Sequence, residues 1–284
     1  MAHESDPIDV KDTVAIDFGA SNTDAVCLRN GEMLRWTQPS VGQPDESRVR
    51  EVLAAGGLAP GYADWIAITG GNRERIPSVI DGQRVFRVDE VSAIGRGGLA
   101  LAGVDRAIVT SAGSGTAVVV AGPDGARHVT GSGVGGGTLI GLGRMLLDIV
   151  DPNVLDALAR EGSATSLNLT IGEILGGAIG SLPPETTAVN FGRVARQPMA
   201  ATPADTAAAL VNMVGQVIAI IAINAARATQ NEHMVIVGHL ADLPSIRETF
   251  RLVGKFYSAT LQVPEFGGYA TATGALLEVA ATQR

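Results

Sequence analysis

The sequence is poor in cysteine, in metal-binding side chains and in positive charge. Cys27 is the one cysteine among 284 residues, which excludes a disulfide framework and a cysteine-ligated iron–sulfur cluster within one chain and favours a reducing cytoplasm. The 4 histidines are scattered without a pair at metal-ligand spacing, so we expect no zinc site. With 21 basic against 29 acidic residues and a net charge of -8, neither nucleic acid nor an anionic membrane surface is an expected partner.

Long apolar runs are also missing. The longest covers residues 217–223, which falls far short of the roughly 20 residues that span a bilayer. The N-terminus is acidic and polar rather than basic and then apolar, so residues 1–11 are predicted to form a disordered lead and not a secretory signal. Because 46% of the residues are hydrophobic, the chain can build one large or two medium domains, and we expect a soluble protein.

Short β-branched runs alternate with longer segments of helical period, which predicts the α/β class. Residues 14–28 (VAIDFGASNTDAVCL) and 107–121 (AIVTSAGSGTAVVVA) share a pattern of strand, glycine turn and strand. This internal similarity predicts two related halves. If each half is a sheet that ends in a phosphate-binding turn, the two turns could face each other across a cleft that holds a nucleotide.

Three glycine turns follow apolar strands. In the first, DFGASN (residues 17–22), an acid at a strand end can hold Mg²⁺ or its water while the N–H groups of the turn and Ser21 meet phosphate oxygens. The second is SAGSGT (residues 111–116) and the third is GSGVGGGT (residues 131–138). An ordinary turn or flexible loop is the alternative for any one of them, but the three together favour phosphate binding. No GK[ST] tripeptide occurs, so this is not a Walker A site, and the mid-chain position argues against an NAD-type Rossmann site.

Two further positions are candidates for chemistry. Asp89 and Glu90 open a predicted helix in VDEVSAIGRGG (residues 88–98). A carboxylate at a helix start is most often a cap or a dipole partner, but phosphoryl transfer to an alcohol also needs a carboxylate near the acceptor hydroxyl. Gly238 ends the predicted strand MVIVGHL, where the backbone can approach a base or ribose, unless it is an ordinary strand end.

These motifs together resemble a known family. DFGASN, ITGGN, VDEVSAI, AGSGT, VTGSGVGGGTLIGL, GSATSLNLTIGEILGG, VIVGHL and GGYATATGALLEV occur in the order and spacing of the type II pantothenate kinases. The resemblance covers nearly the whole chain after about residue 12, and VTGSGVGGGTLIGL is its most specific part.

The resemblance implies a two-lobed actin-like (ribonuclease H-like) ATPase fold with a nucleotide cleft between duplicated halves. Residues 12–104 would form the N-terminal lobe with the first turn and the catalytic base, and residues 105–284 the C-terminal lobe with the other two turns, the adenosine site and dimer helices. The implied activity is transfer of the γ-phosphate of ATP, with Mg²⁺, to the primary hydroxyl of pantothenate, the first step of coenzyme A synthesis. A cytoplasmic homodimer that CoA or acyl-CoA inhibits is implied as well.

Site residues follow from the same resemblance. Glu90 falls on the catalytic base and Asp17 on the metal site. The nucleotide-binding positions are Asp17, Gly19, Ala20, Ser21, Gly113, Ser114, Gly115, Thr116, Gly135, Gly136, Gly137, Thr138 and Gly238. The substrate-binding positions are Ser114, Arg127 and His128.

The sequence departs from the family at three positions. Asp24 replaces a lysine, Ala117 replaces a serine, and His128 replaces an arginine. Arg127 cannot simply take over from that arginine, because neighbouring residues on a strand point to opposite faces unless a bulge intervenes. Two alternatives therefore stay open: a kinase of another small hydroxy acid or sugar, and a non-catalytic sensor of nucleotide or acyl-CoA.

Overall fold

The structure is a computed structural model that describes residues 13–29, 31–180, 182–196 and 201–283. The predicted disordered lead, residues 1–11, lies outside the described residues. The strands are β1 (Thr13–Phe18), β2 (Asn22–Arg29), β3 (Glu32–Pro39), β4 (Trp65–Gly70), β5 (Val79–Ile80), β6 (Gln83–Arg87), β7 (Ala107–Ala112), β8 (Thr116–Gly122), β9 (Gly125–Ser132), β10 (Leu169–Thr170), β11 (Thr187–Val189), β12 (Met234–Val237) and β13 (Leu261–Gln262). The α-helices are α1 (Glu46–Ala55), α2 (Glu90–Ala102), α3 (Gly136–Leu147), α4 (Pro152–Ala159), α5 (Ile171–Leu175), α6 (Gly192–Arg196), α7 (Pro203–Ala228), α8 (Pro244–Phe256) and α9 (Ala270–Thr282).

The chain divides into two compact units. Unit 1 holds the residues up to Gly97 and those from Tyr269 onward, and unit 2 holds Gly98–Gly268. This division differs from the boundary expected between residues 104 and 105. The physical reason is α9, whose buried residues Ala272, Ala275 and Leu276 pack into a core that β1, β2 and β4 share.

Unit 1 is built on a sheet with strand order β3-β2-β1-β4-β6-β5. The first three strands pair antiparallel, and β4 and β6 then add in parallel to β1. Successive residues of β1 face opposite sides of the sheet. Val14 and Ile16 therefore lie in the core on the side of α1, whereas Ala15 lies in the core on the side of α2 and α9.

Unit 2 repeats this arrangement in a sheet with strand order β13-β12-β7-β8-β9. Here β7, β8 and β9 pair antiparallel, and β12 and β13 add in parallel to β7. Each strand from β1 to β4 thus has its counterpart in β7, β8, β9 and β12, and β6 corresponds to β13. The duplication predicted from the internal similarity is confirmed.

Local capping residues mark where several helices begin. The side chains of Asp45 and Asp151 accept hydrogen bonds from backbone N–H groups of α1 and α4. Pro152 and Pro203 occupy first helical positions, where the missing N–H costs nothing. These local signals fix where the helices begin and hence which apolar stripe faces the core.

Helix α7 forms the centre of unit 2. With 26 residues, this helix is long and apolar enough to cross a membrane by length and composition. However, 61% of its most apolar 18-residue stretch is buried inside the protein. Leu210, Val214 and Ile218 pack in one core with residues of α3, α4 and α8. The apolar length of α7 is therefore accounted for by its place as a core helix.

Candidate active site

The first glycine turn joins β1 to β2 in unit 1. A β-carbon built at Gly19 would lie 2.8 Å from the carbonyl oxygen of Asn22, so the turn is too tight for a side chain there. Ser40, just after β3, fixes the turn from outside: its hydroxyl donates to the carbonyl of Gly19 at 2.7 Å, and its N–H donates to the carbonyl of Ser21 at 2.9 Å. Sequence reasoning missed Ser40, because its role depends on pairing along the whole β2–β3 hairpin.

Two carboxylates share one face of the sheet beside this turn. Asp17 pairs with Asp24 across the β1–β2 hairpin and with Thr69 of β4, and side chains of register partners point to the same face. Asp24 is 5% exposed and Thr69 fully buried, and the Thr69 hydroxyl has no hydrogen-bond partner among the described residues. Carboxylate and hydroxyl oxygens suit Mg²⁺, so these residues fit the metal that the fold family implies.

The described residues hold no group of three or more His, Cys, Asp or Glu side chains placed to bind a metal. Mg²⁺ at Asp17 would therefore need water or phosphate oxygens to complete its ligands, as is usual for this ion.

The end of β4 comes close to the end of β1. Gly70 has a φ of +90°, and a β-carbon there would lie 2.5 Å from the carbonyl oxygen of Phe18 and 2.7 Å from Oδ1 of Asp17. Gly71 donates its N–H to the same carbonyl of Phe18 at 3.2 Å. Asn72 follows in the left-handed region at φ 58°. The GGN segment therefore lies against the end of β1, where the first glycine turn begins, and in the sequence only the resemblance points to it.

Asp89 and Glu90 have different surroundings at the start of α2. Oδ2 of Asp89 accepts a hydrogen bond from the N–H of Ser92 at 3.1 Å, so Asp89 is the cap. Glu90 is exposed and forms no hydrogen bond or ion pair with the residues that the structure describes. Asp89 therefore caps α2, and the carboxylate of Glu90 takes no part in the cap.

A cavity of about 430 Å³ in unit 1 brings several of these residues together. Its lining combines the first glycine turn, the loop after β3, the segment after β4 and the start of α2, and it includes Gly19, Ala20, Ser40, Arg48, Asn72 and Glu90. Asp17 and Ser21 do not line it. The structure therefore joins the predicted base to part of the first turn and adds Arg48, which sequence reasoning missed because its position depends on the fold of α1.

The second and third glycine turns meet in unit 2. The N–H groups of Gly136 and Gly137 donate to the carbonyls of Gly113 and Ser114 at 2.7 and 2.9 Å. A β-carbon built at Gly135 would lie 2.7 Å from the carbonyl oxygens of both Ser114 and Gly115. The glycines of the third turn are thus required for close packing of the two turns.

Hydroxyl groups reinforce this contact. Oγ1 of Thr116 donates to the carbonyl of Val134 at 2.7 Å. Oγ1 of Thr138 donates to the carbonyl of Gly133 at 3.0 Å and accepts from the N–H of Gly135 at 3.3 Å. The two glycine turns therefore meet at the N-terminus of α3, where backbone N–H groups often bind phosphates. Here the N–H groups of Gly135, Gly136 and Gly137 bond within the two turns, so the third turn supports the second.

Gly238 occupies in unit 2 the place that Gly70 occupies in unit 1. It follows β12, has a φ of +101°, and a β-carbon there would clash with the carbonyl oxygen of Ala112 at the end of β7. Its N–H donates to the carbonyl of Gly267 at 2.8 Å. Gly238 therefore lies beside the strand that leads into the second turn.

Arg127 and His128 lie on the exposed edge strand β9. A register shift interrupts the pairing of β8 with β9, so that Thr130 pairs with Val118 but Arg127 pairs with Val120. Residues two apart on β8 share a face, so the bulge places Arg127 on the face of Thr130 and His128 on the opposite face. The bulge thus gives Arg127 the face that position 128 would have in an unbroken strand. This is the condition under which Arg127 could replace an arginine at position 128.

The duplicated sheets, each with a hairpin glycine turn beside a glycine of positive φ, form the actin-like α/β fold that the resemblance implies. Within this fold class, the sequence model of the Fumble family matches residues 107–278. The chain belongs to the Fumble family.

Relatives and solved structures agree with this assignment. The chain is 27% identical over 271 residues to a type II pantothenate kinase of Oceanobacillus iheyensis, covering 93% of this chain and 98% of the relative. It is 27% identical over 225 residues to a type II pantothenate kinase of Bacillus cereus strain G9842, covering 75% and 80%.

Two solved structures show the same fold at low identity. One is the activator of the 2-hydroxyisocaproyl-CoA dehydratase from Clostridium difficile with bound ADPNP, with a TM-score of 0.66, 18% identity and 95% coverage of both chains. The other is a ROK family glucokinase from Streptomyces griseus in complex with glucose and AMPPNP, with a TM-score of 0.55, 15% identity and coverage of 95% and 99%.

Proposed function

We propose that the chain is an ATP-dependent pantothenate kinase that transfers the γ-phosphate to the primary hydroxyl of pantothenate, the first step of coenzyme A synthesis. Its membership of the Fumble family and its similarity to type II pantothenate kinases over 93% of its length support this activity. The observation that carries the proposal is Glu90, a carboxylate with no partner in the described part of the chain, which lines the same cavity as Gly19 and Ala20.

Glu90 is the general base in this proposal. A carboxylate that accepts the proton of the acceptor hydroxyl makes the oxygen a better nucleophile as the bond to phosphorus forms. In unit 2, Gly113–Thr116 would bind phosphate through backbone N–H groups. Gly135–Thr138 would hold that turn in shape, since the N–H groups of Gly135, Gly136 and Gly137 are bonded within the two turns. In unit 1, Gly19–Ser21 would form a phosphate-binding turn of its own. Asp17, with Asp24 beside it, would hold Mg²⁺, which neutralises charge on the phosphate oxygens.

Substitution of the proposed base tests the mechanism. We expect Glu90→Gln to lower kcat by about 100-fold or more, because general-base catalysis contributes roughly 10²–10⁴-fold. Binding of a fluorescent ATP analogue should stay close to wild type, since in this proposal the glycine turns bind the phosphates and Glu90 acts on the acceptor hydroxyl. Coupled detection of ADP gives kcat, and normal turnover by the variant would contradict the role of Glu90.

The neighbouring acid supplies the matched control. Asp89→Ala removes the cap of α2 and should cost about 1 kcal/mol of stability while kcat changes by no more than a few-fold. A helix-start role for both carboxylates predicts the reverse: equal losses of stability and no selective loss of turnover in Glu90→Gln.

Another acceptor is the second candidate, and the three departures from the family favour it. Asp24 places a second negative charge beside Asp17, while Ala117 and His128 remove a hydroxyl and a guanidinium. A panel of small hydroxy acids and sugars, assayed by ADP release, separates these acceptors. Tight calorimetric binding of CoA without ATP turnover would instead support a non-catalytic sensor, and inhibition by CoA or acyl-CoA during turnover would support the kinase.

A cytoplasmic homodimer completes the proposal. Helix α7 leaves a stripe of half-buried apolar residues, Met213, Val217 and Ile220, beside its core face. Met145 and Leu146 of α3 are 79% and 55% exposed, and apolar surface of this kind is typical of subunit interfaces. Light scattering of the purified chain measures the oligomeric state.

A further inference from the structure

We propose that Phe266 stacks on the purine base of the nucleotide at the carboxyl ends of the parallel strands of unit 2. This inference rests on the proposed kinase activity and adds to it a residue that binds the base. Phe266 lies four residues after the end of β13 and is 50% exposed. It is not among the nucleotide-binding positions that the resemblance implies.

The segments that follow three parallel strands lie side by side in unit 2. Strand β12 pairs in parallel with both β7 and β13, so the carboxyl ends of the three strands meet at one edge, where α/β sheets bind their ligands. The second glycine turn follows β7, Gly238 follows β12, and residues 263–268 follow β13. Because β7 and β13 are two strand spacings apart, about 10 Å, a nucleotide with its phosphates at the second turn extends past Gly238 toward Phe266.

Arg247 of α8 fixes the chain just before Phe266. Its Nη1 and Nη2 donate to the backbone carbonyls of Val263 and Pro264, each at 3.3 Å. Nη2 also lies 3.4 Å from Oδ1 of Asp242, and this ion pair orients the guanidinium. Helix α8 thereby holds the segment that carries Phe266.

Two hydrogen bonds fix the chain just after Phe266. The carbonyl of Gly267 accepts the N–H of Gly238 at 2.8 Å, and Oδ2 of Asp242 accepts the N–H of Gly268 at 3.2 Å. The backbone that carries the phenyl ring is therefore bonded on both sides of Phe266 and joined directly to the glycine that follows β12.

The backbone of Phe266 adopts a conformation that a bulky side chain disfavours. Its φ is +59°, in the left-handed region where such residues are rare. Strain of this kind persists where surrounding contacts determine the backbone, and strained residues cluster at ligand sites. Because a half-exposed ring gains only part of its burial energy, stability alone favours glycine at this position, and contact with a ligand accounts for the phenylalanine.

A phenyl ring suits the base better than the other parts of a nucleotide. The charged phosphates and the ribose hydroxyl groups need hydrogen-bond donors or acceptors, which phenylalanine does not have. Stacking of a base on an aromatic side chain strengthens binding by about 10- to 100-fold. The exposed ring of Phe266 therefore provides the contact that the base lacks in the glycine-rich segments beside it.

Nucleotide affinity tests the stacking. We expect Phe266→Ala to weaken the binding of ADP, measured by calorimetry, by about 10- to 100-fold, with a parallel rise in KM for ATP. Because the acceptor and the phosphates bind elsewhere, kcat at saturating ATP and KM for pantothenate should change by no more than a few-fold. Phe266→Tyr keeps the ring and should keep the affinity, whereas Phe266→Leu keeps apolar bulk alone and should weaken binding as Phe266→Ala does.

Relief of the backbone strain supplies an independent readout. Phe266→Gly should leave the urea midpoint unchanged or higher, because glycine adopts positive φ without strain, and it should weaken ADP binding as much as Phe266→Ala. Gln230→Gly is the matched control, since Gln230 is also exposed in unit 2 and has a φ of +54°. It relieves similar strain but removes no ring, so ADP affinity should stay at the wild-type value. This pair tests the proposal even if Phe266→Ala folds poorly.

Three results would overturn the inference while leaving the kinase activity intact. One is unchanged ADP affinity in Phe266→Ala, and another is a lower urea midpoint with unchanged ADP affinity in Phe266→Gly, which would give the ring a structural role. The third is a loss of ADP affinity in His239→Ala alone, which would place the base on the imidazole that packs against Gly268. A wild-type chain that binds ADP but phosphorylates no acceptor would instead refute the proposed function and leave the stacking intact.

Discussion

At the scale of single residues, Gly70 and Gly238 mark the same place in the two units. Gly70 ends and Gly238 directly follows the first parallel strand of its sheet, each has positive φ, and each faces the carbonyl oxygen that ends the neighbouring strand. A β-carbon is excluded twice at such a position, by the backbone conformation and by the carbonyl in front of it. These two glycines set how closely the strand ends carrying Phe18 and Ala112 approach the segments that follow β4 and β12.

Gly70→Ala should therefore destabilise unit 1 by more than the conformational cost alone. The new β-carbon would meet the carbonyl oxygen of Phe18 at 2.5 Å and Oδ1 of Asp17 at 2.7 Å, so we expect a loss of about 2–4 kcal/mol from strain and displaced neighbours. Gly82→Ala is the matched control, because Gly82 has a φ of +81° with nothing within 4 Å, and it should cost only about 1 kcal/mol. Equal urea unfolding curves for the two variants would show that the contact with Phe18 carries no energy.

At the scale of elements, the sequence predicts those whose pattern is local. The buried strands β1, β4 and β7 are runs of Val, Ile, Ala and Thr, and the helix starts carry Asp or Pro caps. The strand β3, with the pattern EMLRWTQP, and the edge strand β9, with GARHVTGS, lack such a run, because they are only partly buried. Helix α5 ends at Leu175, because Gly176 adopts the left-handed conformation and caps it.

The residues of the candidate site also differ in whether the local sequence predicts them. The glycine turns and Glu90 carry signals in their own sequence, whereas Arg48, Ser40 and Asn72 reach the cavity through strand pairing and helix placement. The bulge that changes the face of Arg127 is equally invisible to a count of alternating residues. What the sequence could not supply is therefore the set of contacts made between distant segments.

The N-terminus of α7 provides a prediction at this scale. Oδ1 of Asp205 accepts the N–H of Ser163 at 2.8 Å and Oδ2 accepts the hydroxyl of Thr202 at 2.7 Å. The hydrogen bond from Ser163, and then that from Thr202, hold the pKa of Asp205 below its ordinary value of 3.8. A lowered pKa in the folded state means that the ionised carboxylate stabilises the fold above pH 3.8 and loses this effect as the pH falls through the folded value.

Asp205→Asn should accordingly lower the urea midpoint at about pH 7, and the gap from wild type should narrow as the pH falls below 3.8 and through the lowered pKa of the folded state. Asp124→Asn is the control, since that side chain is 97% exposed and 3.9 Å from Arg106, and its midpoint should match wild type at every pH. A gap for Asp205→Asn that persists unchanged in acid would mean that the carboxylate charge is not the cause.

At the scale of the whole molecule, the chain leaves unit 1 after Gly97 and returns to it at Tyr269. The returning helix α9 crosses α2 through a pair of glycines: a β-carbon at Gly97 would clash with the carbonyl of Ala270, and one at Gly274 with the carbonyl of Ala93. Neither glycine has positive φ, so close packing of the two helices is the reason for both. The apolar pattern of α9 does not show that this helix packs in unit 1 with β1. The signal in the sequence that could have indicated it is the glycine pair, Gly97 and Gly274.

Gly274→Ala should therefore weaken unit 1 selectively. The added methyl group must push α9 away from α2, and overpacking of this kind costs about 1–3 kcal/mol. The two tryptophans of the chain, Trp36 and Trp65, both lie in unit 1, so tryptophan fluorescence follows that unit while far-ultraviolet circular dichroism follows both. In the variant we expect the fluorescence midpoint in urea to fall below the midpoint of the main dichroism transition.

Gly141→Ala in α3 is the control, because nothing lies within 4 Å of the new methyl group. It should leave the fluorescence transition in place and raise stability slightly, because alanine favours helix by about 1 kcal/mol over glycine. Coincident shifts of both signals in Gly274→Ala would instead mean that the two units unfold as one, and an unchanged fluorescence midpoint would mean that the crossing of α2 and α9 does not hold unit 1 together.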